Sequence, residues 1–172
     1  MKYPEPSEYP PYFKLYIDHI KSDNILKVLD EQVIDIQELI SEISEEKEDF
    51  AYAPGKWTPK EVIGHIIDTE RIMAFRALCF ARKDKTPLPG FDENYYVANA
   101  NFKNRTMYDL AHEFAVVRES NIALFKCFNQ EALDATGTAN GREVSVRAIL
   151  FMIAGHAVHH VNIIKTRYLG EF

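Results

Sequence analysis

The sequence is poor in cysteine and has no excess of basic residues, and each shortage excludes a class of protein. It contains two cysteines in 172 residues, Cys79 and Cys127, without CxxC spacing. A disulfide framework and a thiolate-rich metal site are therefore excluded, and two reduced thiols favour a cytoplasmic protein. The formal net charge of −6 argues against a nucleic-acid partner, which usually faces a basic surface.

We also expect no leader segment in this sequence. Residues 1–11 are rich in proline and tyrosine and have no apolar core of the kind found in signal peptides. We expect no apolar stretch long and uncharged enough to cross a bilayer, and so no membrane partner. Residues 1–11 should instead form an extended N-terminal arm on a single domain that spans residues 1–172.

Common catalytic motifs are missing as well. There is no GxGxxG after a strand, no P-loop and no nucleophile elbow. The segment His65-Ile66-Ile67-Asp68 is not the zinc-protease helix motif, which needs two histidines around a glutamate. The doubled Glu-x-x-His pattern of di-iron bundles is absent at the histidines.

Four long segments carry apolar residues at helical spacing, with no alternating strand pattern between them. The predicted helices cover residues 23–43, 58–82, 106–128 and 145–170. Capping signals support their starts, most clearly Thr58-Pro59-Lys60-Glu61. These features predict an all-α protein, a four-helix bundle. Its helix order stays open, because residues 83–105 form a long proline-containing loop between the second and third helices.

The fourth predicted helix contains Gly155-His156-Ala157-Val158-His159-His160. His156 and His160 are four residues apart, so both imidazoles stack on one face and can reach one point, where a metal ion can be held. Two alternatives remain. The pair can be ordinary hydrogen-bonded core histidines, or His159 can replace His160, since three-residue spacing also converges. The role of His159 is left open.

A third ligand has to come from another helix, and His65 is the best candidate. It is the only histidine on the second helix and stands among isoleucines. Three imidazoles leave one or more coordination positions open, which is typical of a reactive metal site. Asp68 and Glu61 are candidates to orient His65, although solvated surface acids are an equally good interpretation. The loop carries Phe91, Tyr95, Tyr96 and Phe102, so it should fold back and bury these rings, and Phe91, Tyr95 and Tyr96 could line a substrate pocket.

Two segments resemble a known family. They are YAPGKWTPKEVIGHIIDTERIMAFRALCFARKDKTPLPGFDENYYV and GTANGREVSVRAILFMIAGHAVHHVNIIKTRYL, and they are similar to the YfiT-type members of the DinB-like superfamily. The resemblance runs from about residue 12 to residue 169. It implies a four-helix bundle, frequent homodimers, and a divalent metal, often zinc or nickel, held by three histidines that correspond to His65, His156 and His160.

The resemblance implies a metal site more firmly than a reaction, so three hypotheses follow. In the first, the protein is a transferase that joins a low-molecular-weight thiol, such as bacillithiol, to an electrophilic small molecule. In the second, it is a metal-dependent hydrolase that activates water at the same position, with Asp68 or Glu61 pointing inward as a base. In the third, it is a non-catalytic metal-binding module of the stress response.

Overall fold

Eight α-helices and one β-hairpin make up residues 1–170, the part of the chain that this computed structural model describes. The helices are α1 Lys14–Ile17, α2 Ile25–Glu42, α3 Glu45–Glu48, α4 Pro59–Ala81, α5 Glu93–Ala100, α6 Met107–Phe125, α7 Gln130–Asp134 and α8 Val146–Ile164. The hairpin strands are β1 Thr136–Ala139 and β2 Arg142–Ser145. Short 3₁₀ turns cover Pro6–Glu8, Pro11–Phe13 and Phe102–Asn104, and a π-helical turn, Lys165–Leu169, continues α8.

The four long helices form the predicted bundle, so the all-α interpretation is confirmed. α4 packs on α6 and α8, and α2 packs on the same two helices. The order around the bundle is therefore α2, α6, α4, α8, with α2 and α4 on a diagonal. Sequence alone left this order open.

The helix starts follow their capping residues. At α4, the Thr58 hydroxyl accepts the backbone N–H of Glu61, and the Glu61 carboxylate accepts the N–H of Thr58. Thr106 and Asp109 form the same reciprocal pair at α6. Ser145 caps α8 by accepting the N–H of Ala148. Each cap satisfies backbone donors that have no partner within the helix, and so fixes where the helix begins.

The N-terminal arm is more folded than expected. It contains a 3₁₀ turn at Pro6–Glu8, and the Glu8 carboxylate accepts hydrogen bonds from Ser145 and Arg147 at the start of α8. The following helix, α1, lies against α8 so closely that a Cβ at Gly155 would overlap the backbone oxygen of Tyr16. Glycine at position 155 therefore allows the close approach of α1 to the histidine segment.

The loop between α4 and α6 contains α5 and one buried ring, Phe102. Phe91 is half-buried, whereas Tyr95 and Tyr96 are exposed, so the expectation that the loop buries all of these rings is wrong for the two tyrosines. Both tyrosines lie on α5, which contributes only Val97 to the core. Leu88 pairs with Ala139, which ties the loop to the hairpin.

The last helical segment, Val146–Leu169, is long and apolar enough to cross a membrane by length and composition. This differs from the expectation that no segment would pass such a test. Two thirds of its apolar window, 67%, is buried within the protein, as is typical of the core helix of a soluble protein. The cytoplasmic location stays a prediction.

Candidate metal centre

Three histidines from two helices meet inside the bundle. His65 comes from α4, and His156 and His160 come from successive turns of α8. One nitrogen of each ring lies within 4.8 Å of the other two, and the Nε2 atoms of His65 and His156 are 3.0 Å apart. All three side chains are more than nine-tenths buried. The structure thus brings together the three residues that the sequence indicated, and their role as ligands is a proposal.

The donor set fits a divalent metal ion. Bonds of about 2.05 Å in tetrahedral geometry place two ligand nitrogens roughly 3.3 Å apart, which lies between the shortest and the largest separations in the cluster. The buried Nδ1 of His160 has no hydrogen-bond partner. A nitrogen of this kind costs free energy in a dry interior unless another group binds it. The cluster therefore has the donor type and the spacing expected of a metal centre, and His160 has one ring nitrogen without a partner.

Burial keeps these imidazoles neutral. It lowers the pKa of His65 to about 4. Burial, together with the neighbouring imidazoles, lowers the pKa of His160 to about 3 and that of His156 well below its ordinary value. A protonated imidazole cannot bind a metal, whereas a neutral one offers a lone pair. At neutral pH all three rings are in the form that binds metal.

The metal-free protein should lose stability as the pH falls below about 6.5. In the unfolded chain a histidine takes up a proton near pH 6.5, whereas folded His65 does so only near pH 4. Acid therefore favours the unfolded state, and the stability present above pH 6.5 is lost as the pH falls toward 4. In this pH window, each such histidine lowers the free energy of unfolding by up to about 1.4 kcal/mol for each unit by which the pH falls.

Urea unfolding of the chelator-treated protein, repeated between about pH 7.5 and pH 5, measures this dependence. The His65→Gln variant should have a shallower slope, because one of the titrating groups is gone. The exposed His112 lies on α6, outside the cluster, so His112→Ala should keep the slope of the wild type. A free energy of unfolding that does not change over this range would contradict the prediction.

His159 lies beside the cluster and outside the group of three. Its ring makes edge contacts with Tyr16 and His160, with centroids 5.3 Å and 5.1 Å apart, and lies 6.0 Å from the ring of His19. It is half-buried, unlike the three clustered rings. Of the two spacings that the sequence left open, the structure brings the four-residue pair, His156 and His160, to His65.

A cavity of about 300 Å³ opens onto the histidines. Its walls come from α1, α4, α8, the loop and the hairpin, and its wall residues besides the histidines include Tyr16, Trp57, Met73, Arg76, Phe91 and Glu93. The Trp57 and His65 ring centroids are 4.7 Å apart. The cavity gives a small molecule a path to the histidine centre, as expected of a binding site.

The predicted supporting residues are only partly at the cavity. Phe91 lines it, whereas Tyr95 and Tyr96 do not. The Glu61 carboxylate is used in the cap of α4. The charged neighbours of Asp68 are Arg71 and Glu113, on the side of α4 that faces α6. Neither acid lines the cavity, so the structure gives no support for their orienting His65.

Thr69 is the polar neighbour of the second ring nitrogen of His65, and it was not predicted from the sequence. Its hydroxyl lies 3.5 Å from His65 Nδ1, at the limit of a hydrogen bond. Four-residue spacing on one helix was the available signal. From the sequence, only the carboxylates of Asp68 and Glu61 were considered for this role.

Comparison with known proteins gives a family and a set of similar folds. The sequence profile of the DinB superfamily matches residues 29–164. A search of curated protein sequences gave no significant match. The family match includes all three clustered histidines.

Three solved structures share the fold. YfiT from Bacillus subtilis, described as a probable metal-dependent hydrolase with an unusual four-helix bundle topology, has a TM-score of 0.78 and 18% identity, and the match covers 96% of this chain and 95% of YfiT. A mycothiol-dependent maleylpyruvate isomerase has a TM-score of 0.66 and 15% identity, over 84% of this chain and 61% of the isomerase. The DinB-like protein YjoA of Bacillus subtilis has a TM-score of 0.59 and 21% identity, over 87% and 94%.

Proposed function

The chain belongs to the DinB superfamily, and from this premise we propose that it is a metal-dependent enzyme that transfers a low-molecular-weight thiol to an electrophilic small molecule. The buried cluster of His65, His156 and His160 at the base of an open cavity carries the proposal. The fold is shared with one protein described as a probable metal-dependent hydrolase and one described as a mycothiol-dependent isomerase. The first description names a metal and the second names a low-molecular-weight thiol, and the proposed function combines the two.

The proposed reaction depends on the three neutral imidazoles and on the cavity that opens onto them. A divalent ion held by three imidazoles would act as a Lewis acid and lower the pKa of a thiol or a water molecule that reaches it. The protein's own contribution is to hold the imidazoles neutral by burial and to leave the cavity open to a second reactant. In the transfer, the thiol loses its proton to solvent, its sulfur forms a bond to an electrophilic carbon, and the leaving group departs from that carbon with the bonding electron pair.

Thiol transfer is favoured over hydrolysis by the position of the acidic residues. A hydrolase commonly uses a carboxylate beside the metal as a general base for water. Among residues 1–170, Glu93 is the one acidic side chain at the cavity wall, and it is exposed. A thiol needs less assistance, because its pKa is far closer to neutrality than that of water and its thiolate is a strong nucleophile. Hydrolysis is the second candidate, favoured by the description of YfiT.

Turnover assays separate the two reactions. Protein reconstituted with zinc, and separately with nickel, is incubated with a panel of thiols and a chromogenic electrophile, and then with ester and amide substrates. We expect product formation that requires the thiol and stops after treatment with a chelator. Hydrolysis without a thiol would contradict thiol transfer and support the second candidate, whereas tight metal binding without any turnover would contradict both.

The metal and the assembly are part of the proposal. Three neutral imidazoles suit zinc and nickel, and selectivity depends on geometry and availability. Elemental analysis of freshly purified protein identifies the bound metal, and light scattering of the same sample tests the proposed homodimer. The expected result is one zinc or nickel ion per chain in a particle of twice the chain mass.

A further inference from the structure

One buried cation at the cavity has no acidic partner. Arg76 is 6% exposed. One of its terminal nitrogens donates to the carbonyl oxygen of Pro89 at 2.7 Å, and the other lies 3.5 Å from the sulfur of Met73. Its guanidinium carbon is 5.9 Å from the centre of the Phe91 ring. Within residues 1–170, no carboxylate lies within ion-pair distance of this guanidinium.

The other two buried arginines, unlike Arg76, form ion pairs. Arg118 pairs with Glu70, and Arg147 pairs with both Glu8 and Asp134. A buried charge is costly unless it is paired, so partners of this kind are the rule in protein interiors. Arg76 has only neutral contacts, which leaves its charge uncompensated. An anionic group entering from the cavity would supply the missing partner.

Arg76 lies on the same stripe of α4 as the metal centre. His65, Thr69, Met73 and Arg76 follow helical spacing, and all four line the cavity. Eleven residues separate His65 from Arg76, which corresponds to roughly 16 Å between their Cα atoms along the helix axis. The side chains cover part of this distance, so a ligand that bridges them has its reactive atom and its anionic group at opposite ends and a length that a series of ligands can measure.

We propose that Arg76 binds a carboxylate of the substrate whose reactive atom lies at the histidine centre. The proposal rests on the proposed function for the identity of the reactive end, a thiol. A guanidinium presents two parallel donors that match the two oxygens of a carboxylate. The charged wall residues of the cavity are Arg76 and Glu93. A cavity with one cation and one anion on its walls suits a carboxylate with a single charge better than a phosphate with two.

A matched series of thiols tests the carboxylate site. Each ω-mercapto acid, from mercaptopropionate to mercaptoundecanoate, is compared with the ω-mercapto alcohol of equal length. Trp57, the one tryptophan in the chain, lines the cavity, so its fluorescence reports binding directly. At the length that spans the cavity, the acid should bind about 10- to 100-fold more tightly than the alcohol, the range expected for a charge-assisted hydrogen-bonded pair.

Variants at Arg76 test its role, and a variant at a second arginine provides the control. Arg76→Met should remove the preference for the acid, and Arg76→Lys should keep part of it. Arg82 lies at the end of the same helix, exposed and outside the cavity, so Arg82→Met should bind like the wild type. Thermal melts establish that each variant is folded. If Arg76→Met does not fold, Arg76→Lys, which keeps the buried charge, serves for the comparison with the wild type.

The outcomes distinguish this inference from the proposed function. Equal binding of acid and alcohol at every length, or a preference that survives in Arg76→Met, would overturn the carboxylate site. Tighter binding of a mercaptoalkyl phosphonate than of the acid would also overturn it. Fluorescence titrations measure binding without turnover. A protein that binds the acid more tightly than the alcohol but transfers no thiol would support the carboxylate site and contradict the proposed reaction.

Discussion

Replacing His160 with alanine should remove the bound divalent metal from the protein. The substitution deletes one of three nitrogens that lie within 4.8 Å of one another, and two remaining imidazoles hold a metal much less tightly. Loss of a group that only orients a ligand already weakens metal binding by about 10- to 100-fold, so loss of a ligand should exceed this. Elemental analysis after gel filtration should give about one ion per chain for the wild type and nearly none for His160→Ala.

Matched histidine variants make this result specific. His65→Ala should lose the metal as well, because His65 is the one proposed ligand on α4. His112→Ala changes an exposed histidine of α6 and should keep the metal content of the wild type. If His65→Ala and the wild type carry the same amount of metal, His65 is not a ligand, and the three-histidine centre is wrong.

The convergence of His156 and His160 could be predicted because helical spacing is a local property, and the two residues are one turn apart on any helix. That His65 joins them depends on how α4 packs against α8, and it was predicted from the resemblance to the DinB-like superfamily as well as from the place of His65 among isoleucines. Arg76 lies on the same face of α4 as His65 by the same helical spacing. The sequence did not indicate Arg76, because the loop around Pro89 is what encloses that face of α4 in a cavity.

Most of the fold was predictable for a similar reason. The four bundle helices begin and end within a few residues of the predicted bounds, apart from the π-helical turn that follows α8. These bounds could be predicted because capping residues and apolar periodicity depend on neighbouring positions in the sequence. The helix order was not predictable, since it depends on which apolar faces pack together. The N-terminal arm was predicted as extended, and its 3₁₀ turn is held by contacts of Glu8 with Ser145 and Arg147 that are far away in sequence.

The buried ion pair between Arg118 and Glu70 has no sequence signature at all. Its residues lie on different helices, α6 and α4, and are 0% and 2% exposed. Arg118 Nε and Nη2 donate to the two carboxylate oxygens of Glu70 at 2.7 and 2.8 Å. Arg118 Nη1 donates to Gln32 Oε1 and to the carbonyl oxygen of Leu29, both on α2. Gln32 in turn donates to the carbonyl oxygen of Ala154, so one network joins all four bundle helices.

Removing one partner of this buried ion pair should strongly destabilise the bundle. Arg118→Met leaves the Glu70 carboxylate buried without a cation, which should lower the free energy of unfolding by about 3–5 kcal/mol. The double variant Arg118→Met with Glu70→Met removes both charges and should recover much of the loss, because an apolar pair of similar size needs no compensation. Urea unfolding compares the free energies of unfolding of these variants. The control is Lys83→Met, which removes an exposed ion pair with Glu131 and should be as stable as the wild type. A double variant less stable than Arg118→Met alone would contradict this account and would place the stabilisation in the neutral hydrogen bonds to α2.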